Sequence, residues 1–112
     1  MIPLKLQKMA ETLKLNAVAG HEKDCEITGC YIGDLMSLAM ANLEEGNIWI
    51  TIQTNLNVVA VSVLKEAGCV ILADGAQPDA DTKAKAEAEG VSLFTSEKPA
   101  YILAKELGAL GI

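Results

Sequence analysis

A three-layer α/β/α sandwich around a mainly parallel sheet is the fold these 112 residues predict, on three observations. Short, uncharged runs rich in aliphatic residues, "IWITIQ" (48–53), "CVILA" (69–73) and "VSLF" (91–94), read as strands buried on both faces. Helix-length stretches, "NVVAVSVLKEAG" (57–68) and "ADTKAKAEAE" (80–89), separate them and leave room for parallel crossovers, so the second half reads β-α-β-α-β-α. Apolar residues make up 51% of the chain and aromatics only 4%, so small aliphatic side chains must pack the helices closely on the sheet.

The elements follow in order. Leu6, Met9, Ala10 and Leu13 recur at i, i+3, i+4 and i+7 and predict an amphipathic first helix, with Lys5, Lys8 and Glu11 on its wet side. "NAVAG" (16–20) is a short strand and "HEKD" (21–24) a polar turn. "CEITGCYI" (25–32) is extended, and Gly29 inside it marks a bulge or a close backbone approach. Asp34 is placed to cap the helix "LMSLAMANL" (35–43), which is apolar on nearly all sides, and Gly46 closes it. Such a helix is either deeply buried or covered by another subunit; in the second case Leu35, Met36, Ala39 and Met40 form a homodimer interface. The valines of 57–68 favour a strand by propensity. Asn57 and Gly68 as caps, with Lys65 and Glu66 inside, favour a helix. Asp79 and Asp81 open the next helix, Asp81 pairs with Lys85 at i, i+4, and Gly90 ends it. Ser96 caps a last helix that runs to about Leu107.

Composition narrows the function classes. One domain, 1–112, is the expectation at this length. A formal net charge of −6 repels phosphate backbones and argues against nucleic acid as a partner. Lys65, Glu66 and Asp74 interrupt the longest apolar run, and "MIPLKLQKMAETLKL" has no signal-peptide core, so a cytoplasmic protein without a membrane partner is expected. Cys25, Cys30 and Cys69 form no C-x-x-C pair and are expected to be free thiols, with no metal and no cofactor. His21 stands alone in a charged turn, and Cys30 is better suited to a buried structural role than to nucleophilic attack. Neither a G-x-x-x-x-G-K-[ST] loop nor a G-x-G-x-x-G motif occurs. These absences predict a protein that is not an enzyme.

The candidate site lies in the loops after the three strands, where ligands of open parallel sheets collect. Those loops carry Gln53, Thr54, Asn55 and Asn57, then Asp74 and Gly75, then Thr95 and Ser96. Uncharged donors and acceptors suit a neutral base, a sugar or an amide edge, and helix amino termini nearby suit a polar head group. Local capping explains the same Asn, Thr and Ser residues without any ligand, and a turn explains Asp74 and Gly75. The ligand reading requires the three loops to share one rim.

The segments "ITGCYIGDLMS", "GNIWITIQTNLNVVAVSVLKEAGCVILADGAQPD" and "GVSLFTS" together resemble the DRTGG domain family. The similarity is to its short stand-alone members, which resemble the amino-terminal domain of HPr kinase/phosphorylase and proteins encoded beside iron-only hydrogenases. Thr28, Gly29, Tyr31 and Asp34 fit the short-member pattern, with Cys30 where a second glycine is usual. Asn55, Leu56 and Asn57 stand where the family has its Asp-Arg pair, and only Gly75 matches its Thr-Gly-Gly. The resemblance implies a MurF and HPr-kinase amino-terminal-domain-like sandwich. It also implies a non-catalytic regulatory domain that senses a small ligand such as an adenine nucleotide and forms a homodimer. The alternative is an interaction or accessory module for a hydrogenase or kinase partner, with no small ligand. The kinase link implies no kinase activity, which belongs to a separate P-loop domain.

Overall fold

Strand residues alternate between two faces, and this alternation positions every helix in the computed structural model, which describes residues 3–20 and 23–112. The order is α1 (Leu6–Thr12), β1 (Asn16–Ala19), β2 (Gly29–Ile32), α2 (Met36–Asn42), β3 (Asn47–Thr51), α3 (Asn57–Lys65), β4 (Cys69–Leu72), α4 (Ala80–Glu89), β5 (Leu93–Thr95) and α5 (Ala100–Ala109). The expected β-α-β-α-β-α second half is thus β3 through α5. His21, placed above in a charged turn, lies outside the described residues.

The strands form one mixed sheet in the order β1-β5-β4-β3-β2. β2 to β5 run parallel, with Cys30 beside Ile48 and Ile48 beside Cys69 in register. β1 is antiparallel to β5, with its register broken between Ala17 and Ala19. The irregularity therefore falls in β1, and Gly29 pairs regularly with Asn47; a Cβ there would stand 3.0 Å from the Asn47 side-chain nitrogen.

Ile48, Ile50, Cys69, Ile71 and Phe94 join one buried cluster with Leu6, Met9 and Leu13 from the α1 region and Leu103 and Leu107 of α5. Trp49, Val70, Leu72 and Leu93 point the other way, into Ala39, Leu43, Val58, Val59 and Ala86 of the α2, α3 and α4 segments. Each central strand thus buries both of its faces, which is why its sequence reads as a continuous apolar run.

Helix ends depart from expectation. Asp34 caps nothing: the residue before α2 is Leu35, with no side-chain cap. Neither Asn57 nor Ser96 is a side-chain cap, because α3 starts at Asn57 itself and α5 starts after Pro99. Glu66, not Gly68, takes the left-handed position ending α3, at φ 53°. Gly46 is left-handed too, at φ 82°, but lies in the turn beyond α2, whose last cap is Leu43. Gly90 ends α4 as expected. The ion pair on α4 is Lys85 with Glu89 at 3.1 Å rather than Asp81 with Lys85.

Candidate functional site

The carboxyl ends of β2, β3, β4 and β5 meet at one rim, joined by hydrogen bonds from loop to loop. Asp34 starts the series: one carboxylate oxygen accepts from Thr51 Oγ1 at 2.8 Å and from the Ile52 N–H at 2.9 Å. Gln53 Nε2 donates to the Asp34 carbonyl, and Asn55 Nδ2 donates to Gln53 Oε1. Asn55 Oδ1 accepts from the Asn57 N–H, which closes the turn into α3. The Thr54 carbonyl accepts from the Asp79 N–H at 3.1 Å and from Thr82 Oγ1 at 2.8 Å, tying this loop to the start of α4. The Gly75 N–H donates to the Ser96 carbonyl and the Asp74 N–H to the Lys98 carbonyl, which binds the second loop to the third. The premise of a shared rim is therefore a feature of the fold.

The eight candidate residues differ in what they leave open. The amides of Gln53 and Asn55 are spent on Asp34, on each other and on the Asn57 N–H. The side chains of Thr54 and Asn57 and the carboxylate of Asp74 make no hydrogen bond among the described residues. Asp74 holds a left-handed conformation at φ 56° beside Gly75 at φ 74°. A Cβ on Gly75 would stand 2.6 Å from a Glu97 carboxylate oxygen, which that flexible side chain can move aside, so glycine is favoured there by its φ of 74° rather than by space. Thr95 is buried, and its hydroxyl accepts from Asn16 Nδ2 at 3.2 Å, toward β1. Ser96 Oγ accepts from the Lys98 N–H, a local turn.

Of the helix residues assigned to a dimer interface, Ala39 is fully buried in the chain's own core, and Met36 and Met40 pack half-buried against that core. Leu35 (60% exposed) and Leu38 (50%) face solvent. Ile32, Ile52 and Leu56 are exposed in the neighbouring segments. Of the four expected residues Leu35 thus stays uncovered, beside Leu38, while Ala39 turns inward, because a helix lying on a sheet packs its small residue against it.

Two cavities flank the sheet. One of about 330 Å³ lies on the rim between β5 and β1, among Lys14, Asn16, Gln77, Thr95, Ser96, Glu97 and Lys98. Lys98 Nζ donates to the Leu13 carbonyl at 3.1 Å and to Glu106 at 2.7 Å. The larger, about 540 Å³, is at the opposite end of the sheet, where Glu26, Glu45, Glu66 and Glu89 stand with Lys23. The carboxyl ends of α3 and α4 also lie there. Carboxylates and negative helix ends make that cavity hostile to a phosphorylated ligand in spite of its size. Sequence reading missed Lys14, Asn16 and Lys98 as rim residues, because only the long-range pairing of β1 with β5 brings them there.

Burial pushes the Cys30 thiol up to about 11, away from the reactive thiolate. Burial, with Cys25 and Cys30 adding, holds the Cys69 thiol well above its ordinary range. All three cysteines are free. Among the described residues no group of His, Cys, Asp and Glu is arranged to hold a metal ion, and no helix is long and apolar enough to cross a membrane.

No family model and no curated protein sequence matches the chain. A solved structure does: the CBS and DRTGG domains of the regulatory region of Clostridium perfringens pyrophosphatase, complexed with its activator diadenosine tetraphosphate. The TM-score is 0.73 at 14% identity, over 91% of this chain and 45% of that one. At that identity the likeness is one of fold, and the chain spans less than half the length of the structure it resembles. The α/β fold assembled here is thus also found within the regulatory region of another protein.

Proposed function

We propose that the chain is a non-catalytic, DRTGG-like regulatory domain of the cytoplasm that senses a small ligand, an adenine nucleotide, and acts as a homodimer. The observation that carries this reading is the rim: three strand-end loops held as one unit, with Thr54, Asn57 and Asp74 left with unused polar groups. A small-molecule site combines a concave pocket with a few placed polar groups; the concave part of this rim is the cavity lined by Thr95 and Ser96. Asp74 suits a ribose hydroxyl, and Thr54 and Asn57 suit a base edge. The likeness to a regulatory region crystallised with diadenosine tetraphosphate supports the ligand class. In this reading the layers are those of the three-layer sandwich of MurF and of the HPr kinase amino-terminal domain. Thermal denaturation with AMP, ATP and diadenosine tetraphosphate tests it: a ligand selective for the folded state at a hundredfold its Kd adds about 2.7 kcal/mol. A rise of several degrees with one of them is the expected result; no rise with any counts against the reading.

The exposed Ile32, Leu35, Leu38, Ile52 and Leu56 favour a second reading, an accessory module docking on a partner such as a hydrogenase or kinase. Sedimentation of the Leu35→Glu, Leu38→Glu variant separates the two. If the patch joins two copies, the mass falls from dimer to monomer; a monomeric wild type instead assigns the patch to a different protein.

A further inference from the structure

We infer that the cavity between β5 and β1 receives the acid group of the sensed molecule, a phosphate or a carboxylate, with Lys14 as its principal cation. The inference rests on the ligand-sensing reading and gives that ligand a charge and an orientation. Lys14 is exposed, lines the cavity and has no ion-pair partner among the described residues. It follows α1 at φ 57°, a left-handed position normally given to glycine or asparagine. The chain therefore holds a cation where a smaller residue would fit the backbone better. Lys98 lies on the same wall but is partly neutralised by Glu106. Asn16, Gln77 and Ser96 add neutral donors: Asn16 and Gln77 through amides, and Ser96 through a hydroxyl whose oxygen already accepts from Lys98.

Glu97 is the opposing charge. Its carboxylate lies against Gly75, on the Asp74 side of the rim. A ligand would thus meet cations at the β1 end and carboxylates over the β4 loop. That polarity places an acid group at Lys14 and hydroxyl groups near Asp74 and Glu97. The cavity begins at β5, two strands or about 10 Å from β3, and Lys14, which leads into β1, stands three strands or about 14 Å away. A nucleotide extended across the strand ends would therefore direct its base toward the Gln53–Asn57 loop and its phosphate into the cavity, where the long Lys14 side chain can reach it.

Amide NMR of the full chain, titrated with inorganic phosphate, succinate, adenosine and AMP, tests this. Phosphate or succinate is expected to shift the amides of Lys14, Asn16, Gln77 and Ser96, the stronger of the two naming the acid. AMP is expected to bind about tenfold more tightly than adenosine, the usual gain from one charge-assisted contact. Lys14→Gly should erase that tenfold gap while raising the melting temperature, whereas Lys14→Arg keeps the gap and Glu97→Gln widens it. Anions that leave these amides unmoved, or a Lys14→Gly variant that keeps the preference for AMP, overturn the inference. If adenosine shifts Gln53–Asn57 while anions shift nothing, the nucleotide reading survives and this one fails. If anions shift the cavity and no nucleoside adds to it, the reverse holds.

Discussion

Replacing Asp34 with alanine should destabilise the domain by about 2–3 kcal/mol, although the residue is exposed. The figure follows from its two partners. Thr51 is only 2% exposed, so its hydroxyl, which donates to Asp34 at 2.8 Å, would be left buried without an acceptor. That desolvation costs about 1–3 kcal/mol. The Ile52 N–H, at 2.9 Å, sits at an exposed residue where water can replace the carboxylate, so its loss adds about 0.5–1 kcal/mol. Urea unfolding at unchanged m-value measures the sum, and the melting temperature should fall by about 10 °C or more. Asp34→Asn keeps an acceptor oxygen and should cost under about 1 kcal/mol. Thr51→Val removes the donor, and the Asp34→Ala, Thr51→Val cycle should return a coupling of about 1–2 kcal/mol. An Asp34→Ala variant losing under about 0.5 kcal/mol, or a coupling of zero, would show that Asp34 does not brace the rim.

Two further perturbations probe the rest of the fold. Cys30 has a folded-state pKa raised to about 11 from an ordinary 9.0, so its contribution is complete below pH 9 and is lost as the pH rises toward 11. Over that window the wild type should lose on the order of 2 kcal/mol more than Cys30→Ala, as read by urea midpoints at each pH; parallel curves would refute the burial argument. Glu66→Gly relieves φ 53° at the end of α3 and should raise stability by about 0.5–1 kcal/mol; a loss would mean that the Glu66 side chain supports the turn.

The parallel half of the fold was legible because strands buried on both faces need continuous apolar runs, and Ile48–Ile50 and Cys69–Leu72 have them. The antiparallel placement of β1 was not. "NAVA" carries no local sign of its partner, and the pairing with β5 joins residues 16 and 95. The candidate site was half legible for the same reason. Polar residues after strands mark a rim, so Gln53–Asn57 and Asp74–Gly75 could be found. Which amides are spent on one another depends on side-chain geometry, and Lys14 enters only through the long-range pairing. Asp34 was misassigned because a residue ahead of a helix looks like a cap. Its carboxylate instead turns toward the end of β3, where a buried hydroxyl needs an acceptor. Ala39 and Leu38 are adjacent in an apolar helix, and only packing against the sheet decides that the first is core and the second is surface.

Hydrogen–deuterium exchange of the free chain against the chain saturated with diadenosine tetraphosphate bears most directly on the rim as the sensing surface. The expected result is slowed exchange at 53–57, 74–79 and 95–98 together, with the opposite end of the sheet unchanged. Protection confined to the acidic cavity around Thr28, Gly46, Gly68 and Gly90, or none at all, would contradict it.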